Sequence, residues 1–393
     1  MQKRMWEPRT KIEIDGDYWL INGRPTYMAR RYQGISIEGL LLNSRMANGI
    51  FDDANSFTRH LWAYPDTGFW DASRNTNELA QMLPVYASHG LTAICINMQG
   101  GSPLGYYRET PSVLNELRKR IHARHPSAKD NEVWYGVPDV SSQPWQSSGF
   151  DSLGQINPEF RGRTGQLIEA ADAAGLIVCL GLFYFGQDER LLNERAVCSA
   201  VREICRWILA KGYQNVIIEI NNEADVPRYQ HKIMQPHRVH ELIFEAKSIQ
   251  QKSDRLLVGT SSTRRQVPSS KVVEVSDFIL LHGNGVDRPK NIMQMVERVR
   301  SVPSYQNQPI LFNEDDHFDF GKPNYNFRAA LEARAGWGYF DPGDAAGGQI
   351  FYGDYINGYQ NPPINWSINT PRKRGFFNIL ASITGSSGRT NPQ

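Results

Sequence analysis

Three times in this chain a helical pattern runs into a glycine and is followed by a short, almost unbroken apolar run: Gly90 before residues 91–97, Gly175 before 176–180, and Gly212 shortly before 216–220. Glycine at that position accepts the left-handed conformation that ends a helix. An apolar run without alternation suits a strand covered on both faces, as in a parallel sheet. Helix, stop and buried strand in repetition therefore constrain the fold to the α/β class with parallel strands.

The helices carry the matching periodicity. Leu79, Met82, Leu83 and Tyr86 share one face, and Pro84 is expected to kink that helix. Asn157 followed by Pro158 reads as a cap with proline in the first turn. Val197, Val201, Ile204, Cys205 and Ile208 line the next helix, and Val239, Leu242, Ile243, Ala246 and Ile249 the one after it. Strands are expected at 256–259, 278–281, 310–312 and 349–352, with helices around Val296 and Val299 and around Phe327 and Leu331. With a first strand near 40–46 this makes about eight units, which favours a closed (β/α)8 TIM barrel over a doubly wound sheet.

The 393 residues suit one such barrel with long loops, so a single catalytic domain over 1–393 is expected. Residues 1–38 precede it, and Asn22-Gly23 between two extended runs signals an N-terminal β-hairpin placed to close the barrel floor. Residues 99–157 form a long insertion after the second strand. Loops that follow barrel strands build the active-site face, so Trp134, Tyr135 and Trp145 in this insertion are either sugar-stacking platforms or packing residues.

Lys and Arg total 43 against 41 Asp and Glu, so no charge excess points to nucleic acid or an anionic membrane. Apolar stretches are too short for a membrane-spanning helix. Residues 1–8 begin basic but lack an apolar run, so the chain as given reads as cytoplasmic, or as secreted with its signal removed. Cys95, Cys179, Cys198 and Cys205 show no zinc-site spacing and are expected to be buried thiols. No cofactor motif of the Gly-x-Gly-x-x-Gly or Walker type is present, and no nucleophile elbow, so no cofactor is expected.

Chemistry concentrates at two strand ends. Strand alternation sets Glu219 and Glu223 on one side of the fourth strand, with Glu223 at its C-terminal end, and Glu314 ends the seventh. Two carboxyls on one rim are what glycosidic cleavage requires, one to protonate the leaving oxygen and one to attack or stabilise the anomeric centre. Arg45, ending the first strand, is positioned to pair with Glu314 or Glu219. Gln99 and Tyr184 follow the second and third strands and could meet substrate hydroxyls, and His282 fits a rim position. Asp315, Asp316 and His317, with Asp52 and Asp53 elsewhere, are the features that favour a metal site instead. Adjacent acids on an extended chain point to opposite faces, so no metal is assigned.

The string Glu219-Ile220-Asn221-Asn222-Glu223, the later Glu314, and Ile21-Asn22-Gly23-Arg24-Pro25 ahead of the barrel resemble the clan of retaining (β/α)8 glycoside hydrolases. The resemblance implies Glu223 as acid/base, Glu314 as nucleophile and Asn222 as donor to a sugar 2-hydroxyl, with a carbohydrate as partner. Two departures stand out. That clan often ends its sixth strand His-x-Tyr, the tyrosine touching the nucleophile, where this chain has His282-Gly283-Asn284. Many members carry tryptophan at the eighth strand end, where Tyr352 and Trp366 stand as alternative platforms. A carbohydrate-binding barrel without turnover, and a metal-assisted barrel enzyme, remain as alternatives. The sequence leaves the sugar, the linkage and the oligomeric state open.

Overall fold

A computed structural model describes residues 6–104, 111–133, 143–264, 266–343 and 357–387. Eight parallel strands form a closed ring. In order they are Leu42–Arg45, Ala93–Asn97, Ile177–Phe183, Val216–Asn221, a fifth strand in two pieces (Leu257–Gly259 and Ser261–Ser262), Ile279–His282, Ile310–Asp315 and Gly336–Tyr339. Each pairs with its neighbours in chain order, and the eighth pairs with both the seventh and the first. The fifth strand is interrupted at Thr260: its first piece pairs with the fourth strand and its second with the sixth. At that break the Thr260 hydroxyl takes over the ladder, accepting Asn221 N–H at 3.2 Å and donating to Asn221 C=O at 3.0 Å.

The eighth strand corrects the sequence reading, which assigned 349–352; those residues lie outside the described ones. Gly336-Trp337-Gly338-Tyr339 closes the ring instead. Its glycines are obligatory. A Cβ at Gly336 would sit 2.2 Å from Leu41 C=O, and one at Gly338 would sit 2.3 Å from Asn43 Oδ1. Glycine is depleted in strands because it has no side chain to pack, so a strand selected for close approach gives no apolar signal. Two helices had also passed unnoticed, Ser270–Val275 and Pro371–Thr384. The helix Ala72–Ser88 runs on past Pro84.

Ahead of the barrel, Ile12–Asp15, Tyr18–Ile21 and Arg24–Pro25 form an antiparallel sheet. Asn22 and Gly23 both take positive φ, 54° and 72°, the geometry of the tight hairpin turn this pair prefers. The sheet presents Ile12 and Trp19 to an apolar cluster with Leu41, Ala93, Ile177 and Phe278, and the Trp19 ring meets Phe278 at 5.2 Å. The hairpin thus plugs one end of the barrel and leaves the C-terminal strand ends to the opposite mouth. No helix among the described residues is long and apolar enough to cross a membrane.

At that mouth two loops share a second apolar cluster: Phe51, Trp62 and Trp70 from the loop after the first strand, Leu117, Ile121 and Trp145 from the 99–157 insertion. Trp145 is buried and meets Trp62 edge-on at 6.0 Å, so it is a packing residue rather than a sugar platform. Trp134 and Tyr135 lie outside the described residues. Asp52 and Asp53 serve the same cluster: they accept the indole N–H groups of Trp70 at 3.1 Å and Trp62 at 2.7 Å. These two acids therefore serve the packing of that cluster.

Candidate active site

The fourth strand ends at Asn221, and the chain then turns sharply. Glu223 adopts a positive φ of 52°, a conformation that costs a residue with a Cβ and recurs at functional sites. Neighbouring backbone and hydroxyl groups hold the turn in place: Glu223 N–H donates to Ser261 Oγ at 2.8 Å, Ala224 N–H to Ser261 C=O at 2.9 Å, and Tyr229 OH to Asn222 C=O at 2.6 Å. The turn aims the Glu223 side chain over the barrel axis. Glu314 reaches the same region from the seventh strand through a break in alternation: the register against both neighbouring strands shifts between Phe312 and Asp315, so that Asn313 meets Glu219 inside the barrel at 3.5 Å and Glu314 also lines the cavity.

Between the two carboxyls lies His282, fully buried at the end of the sixth strand. Its Nδ1 is 3.0 Å from Glu223 Oε1 and 3.7 Å from Glu314 Oε2. The sum of these distances is the upper limit on the separation of the two oxygens. That limit admits the roughly 5–5.5 Å of retaining glycosidases. Burial by itself disfavours the imidazolium, but the charge of Glu314, the hydrogen bond and charge of Glu223, and the charge of Glu219 outweigh it and push the His282 pKa up to about 9.

A raised pKa fixes the sign of a pH effect. The charged imidazole stabilises the folded state fully below its unfolded value of about 6.5 and loses that contribution as pH rises through about 9. Urea unfolding should therefore show wild type losing on the order of a few kcal/mol relative to His282→Gln across that interval. Parallel curves for the two proteins would contradict the charge assigned to His282.

Glu314 is held on its other sides by Arg45 and Asn284. Arg45 Nε lies 2.6 Å from Glu314 Oε2, both side chains nearly buried. That contact is short but off the hydrogen-bonding axis, so its attraction is chiefly Coulombic. Arg45 also donates through Nη2 to Asn222 Oδ1 at 2.9 Å. With its oxygen so engaged, the Asn222 amide is oriented to offer Nδ2 to the cavity it lines. Asn284 Nδ2 donates to Glu314 Oε1. The group that donates to Glu314 from the sixth-strand end is thus the Asn284 amide. Glu219, below them inside the barrel, has its pKa raised by burial, with Arg45 and His282 opposing.

A cavity of about 400 Å³ opens on this cluster, and Arg45, Tyr184, Asn222, Glu223, Asn284 and Glu314 line it. The sequence singled out all six. It missed Thr263, Arg264, Gly285, Phe340 and Gln360, which line the remaining wall together with Asp316, a residue singled out only for a metal group. Phe340 directly follows the glycine-rich closing strand, so missing that strand hid the aromatic residue it delivers. Gln99 is not at the cavity: its Oε1 accepts Tyr184 N–H at 3.0 Å and its Nε2 faces Ser148 and Gln187, so it positions Tyr184. Trp366 is buried, stacked on Tyr359 at 5.7 Å, with its indole N–H on Asn75 at 3.2 Å. Tyr352 lies outside the described residues.

Asp315, Asp316 and His317 do come together, with ligand atoms within 4.8 Å of one another. Strand alternation ends at Asp315, so the opposed directions expected from an extended chain do not persist. Each group nevertheless has an internal partner. His317 Nδ1 lies 2.6 Å from Asp315 and 3.2 Å from Asp316, while Asp315 also accepts the Trp337 indole N–H at 2.8 Å. Burial opposes the His317 charge, but its hydrogen bond and charge contact with Asp315 lead the effects that raise its pKa to about 9. The trio reads as a brace under the seventh-strand loop, in which one imidazole serves two carboxylates and the Trp337 indole and the Gly285 and His317 N–H groups supply further donors.

No family model matches the sequence, and no curated protein sequence matches it. Solved structures do match in fold. A β-mannanase from the blue mussel Mytilus edulis aligns over 96% of this chain and 97% of its own at 10% identity, with a TM-score of 0.51. A GH5-4 broad-specificity endoglucanase from Bacteroides salanitronis aligns over 88% and 93% at 10% identity, with a TM-score of 0.52. An exo-β-1,4-mannosidase from Opitutaceae bacterium strain TAV5 aligns over 92% of this chain at 12% identity and a TM-score of 0.48, and the chain spans 62% of its length. At such identities the likeness is one of fold, the (β/α)8 barrel.

Proposed function

We propose that this chain is a retaining glycoside hydrolase in which Glu314 attacks the anomeric carbon and Glu223 protonates the departing oxygen. The observation that carries the reading is the shared imidazole: carboxyls from the fourth and seventh strands converge on one nitrogen at the floor of a cavity sized for sugar. Carbohydrate is the substrate class, and the fold is one that known mannanases and endoglucanases also use.

The two carboxyls differ in surroundings, and that difference supports the division of roles. Glu314, with 8% of its side chain exposed, is held between the Asn284 amide and the Arg45 cation, which fix the position of its carboxyl for attack. Glu223 is the more open at 17%, as a group must be that meets first the leaving group and then water. In the first step the Glu314 oxygen forms an ester to the anomeric carbon while the glycosidic C–O bond breaks and the aglycone oxygen takes the Glu223 proton. Esterification removes the charge of Glu314. Glu223, now ionised, takes a proton from water, whose oxygen displaces Glu314 and restores the starting state. Asn222 Nδ2 is the donor oriented for a hydroxyl beside the reacting carbon.

Proton NMR of the first-formed product tests the reading. Cleavage of an aryl glycoside should release sugar with the substrate's anomeric configuration before mutarotation. Inversion would overturn the double displacement, and binding of sugar without hydrolysis would favour a non-catalytic barrel.

A further inference from the structure

Most charged groups around the cavity have a counter-charge beside them. Arg45 faces Glu314 at 2.6 Å, Glu223 faces His282 at 3.0 Å, and Asp316 faces His317 at 3.2 Å while accepting Gly285 N–H at 3.1 Å. Arg264 lines the same cavity from the loop after the fifth strand, and no acidic partner for it exists among the described residues.

Its placement is built from both ends. The preceding residue, Thr263, is clamped by Asp225, two positions beyond Glu223: Thr263 N–H donates to Asp225 Oδ1 at 2.7 Å, and its hydroxyl donates to Oδ2. Thr263 C=O then accepts Gln266 N–H at 3.1 Å, so Arg264 projects from a closed turn. At the far end the guanidinium lies against Gly285, where a Cβ would come within 2.5 Å of Nη1 and 3.6 Å of Cζ. Gly285 takes a positive φ of 62°, so this position suits glycine on conformational grounds as well as for space. Arg264 is exposed to solvent at the cavity rim, and a guanidinium laid there against Gly285, with no carboxylate paired to it among the described residues, is placed to meet an anionic group on the ligand. Its planar fork suits a carboxylate or a sulfate ester in preference to a hydroxyl.

We propose that Arg264 is a specificity-determining residue and that the substrate is an acidic sugar, carrying a carboxylate or sulfate within reach of its guanidinium. The inference rests on the cavity's taking a sugar, as argued above. Because it concerns recognition and the earlier reading concerns bond cleavage, the two can fail separately.

The test pairs para-nitrophenyl glucuronides, galacturonides and mannuronides with the corresponding neutral glycosides, in both anomers, and adds O-sulfated hexosides. The free sugars are titrated by calorimetry in parallel. Wild type should favour the acidic member of a pair by about ten- to a hundredfold in kcat/KM, the size of one charge-assisted recognition contact. Arg264→Gln should collapse that ratio, Arg264→Lys should keep part of it, and Gly285→Ala, which displaces the guanidinium while leaving its charge, should reduce it. Added salt should erode the preference, and the carboxylate and sulfate arms identify which anion is read.

Hydrolysis of neutral glycosides with no acidic preference, or a preference unmoved by Arg264→Gln, would overturn the assignment and leave the hydrolase reading standing. Arg264-dependent binding of acidic sugars with no cleavage anywhere in the panel would do the reverse. Neither binding nor cleavage of any acidic or neutral member would overturn both.

Discussion

Glu314→Gln should abolish turnover on every substrate the enzyme cleaves, by more than the about 10²–10⁴-fold that a general acid or base contributes, because no covalent intermediate can form without its carboxylate. Glu223→Gln should behave differently according to the leaving group. A poor aglycone needs its proton and should be cleaved about 10²–10⁴-fold more slowly. An activated aryl group leaves without one, so the first step survives and the covalent glycosyl-enzyme accumulates, visible as a burst of phenolate and as a mass increase on the protein. Azide then separates the roles. With alanine at 223 it should enter on the face opposite Glu314 and give a glycosyl azide of retained configuration; with alanine at 314 it should fill the vacated space and give the inverted one. The same anomer from both variants would break the assignment of roles.

Arg45→Met should destabilise the fold by about 3–5 kcal/mol, the cost of stranding buried charge when one partner is removed. The guanidinium is almost wholly buried, lies 2.6 Å from Glu314 and 2.9 Å from Asn222, and opposes the charge of Glu219 inside the barrel. The sign of its pH dependence follows from which groups are stranded. Without Arg45 the buried Glu219, whose pKa burial already raises, loses the cation that opposes that rise, so acid neutralises it and the deficit should shrink as pH falls from neutrality. A deficit below about 1 kcal/mol, or one independent of pH, would mean the pair behaves as a solvent-screened surface bridge. Activity should fall as well, since Arg45 also orients the Asn222 amide.

Several of these groups could be read from the linear chain for a local reason. Apolar runs of strand length behind helix-stopping glycines reveal a parallel barrel, and catalytic groups of such barrels sit where strands end. Glu223 and Glu314 follow from that counting alone, as does Arg45 at the end of the first strand, whereas Asn222 and Asn284 were singled out through the family resemblance. The pattern failed where the physical cause was contact between distant segments. Gly336 and Gly338 are glycine because Leu41, Asn43 and Asn313 press on them, which no window around residue 337 reveals. Trp145 and Trp366 were candidates for sugar stacking because aromatic residues in loops suggest exposure, whereas Trp145 seals a loop cluster against Trp62 and Trp366 stacks inside on Tyr359.

The sequence by itself determined the strand-and-helix alternation, the closed α/β class, the hairpin turn and the positions of the two glutamates, because each is set by periodicity or backbone preference within a few residues. Only the tertiary structure decided that His282 stands between those glutamates, that Asn284 donates to Glu314, that Gln99 positions its neighbour instead of meeting the cavity, and that Arg264 is laid on Gly285. Closing the ring is what brings the first, fourth, sixth and seventh strands to one mouth. Distances across that mouth depend on register and stagger around the whole barrel, which is a property of all eight strands together and of no single segment.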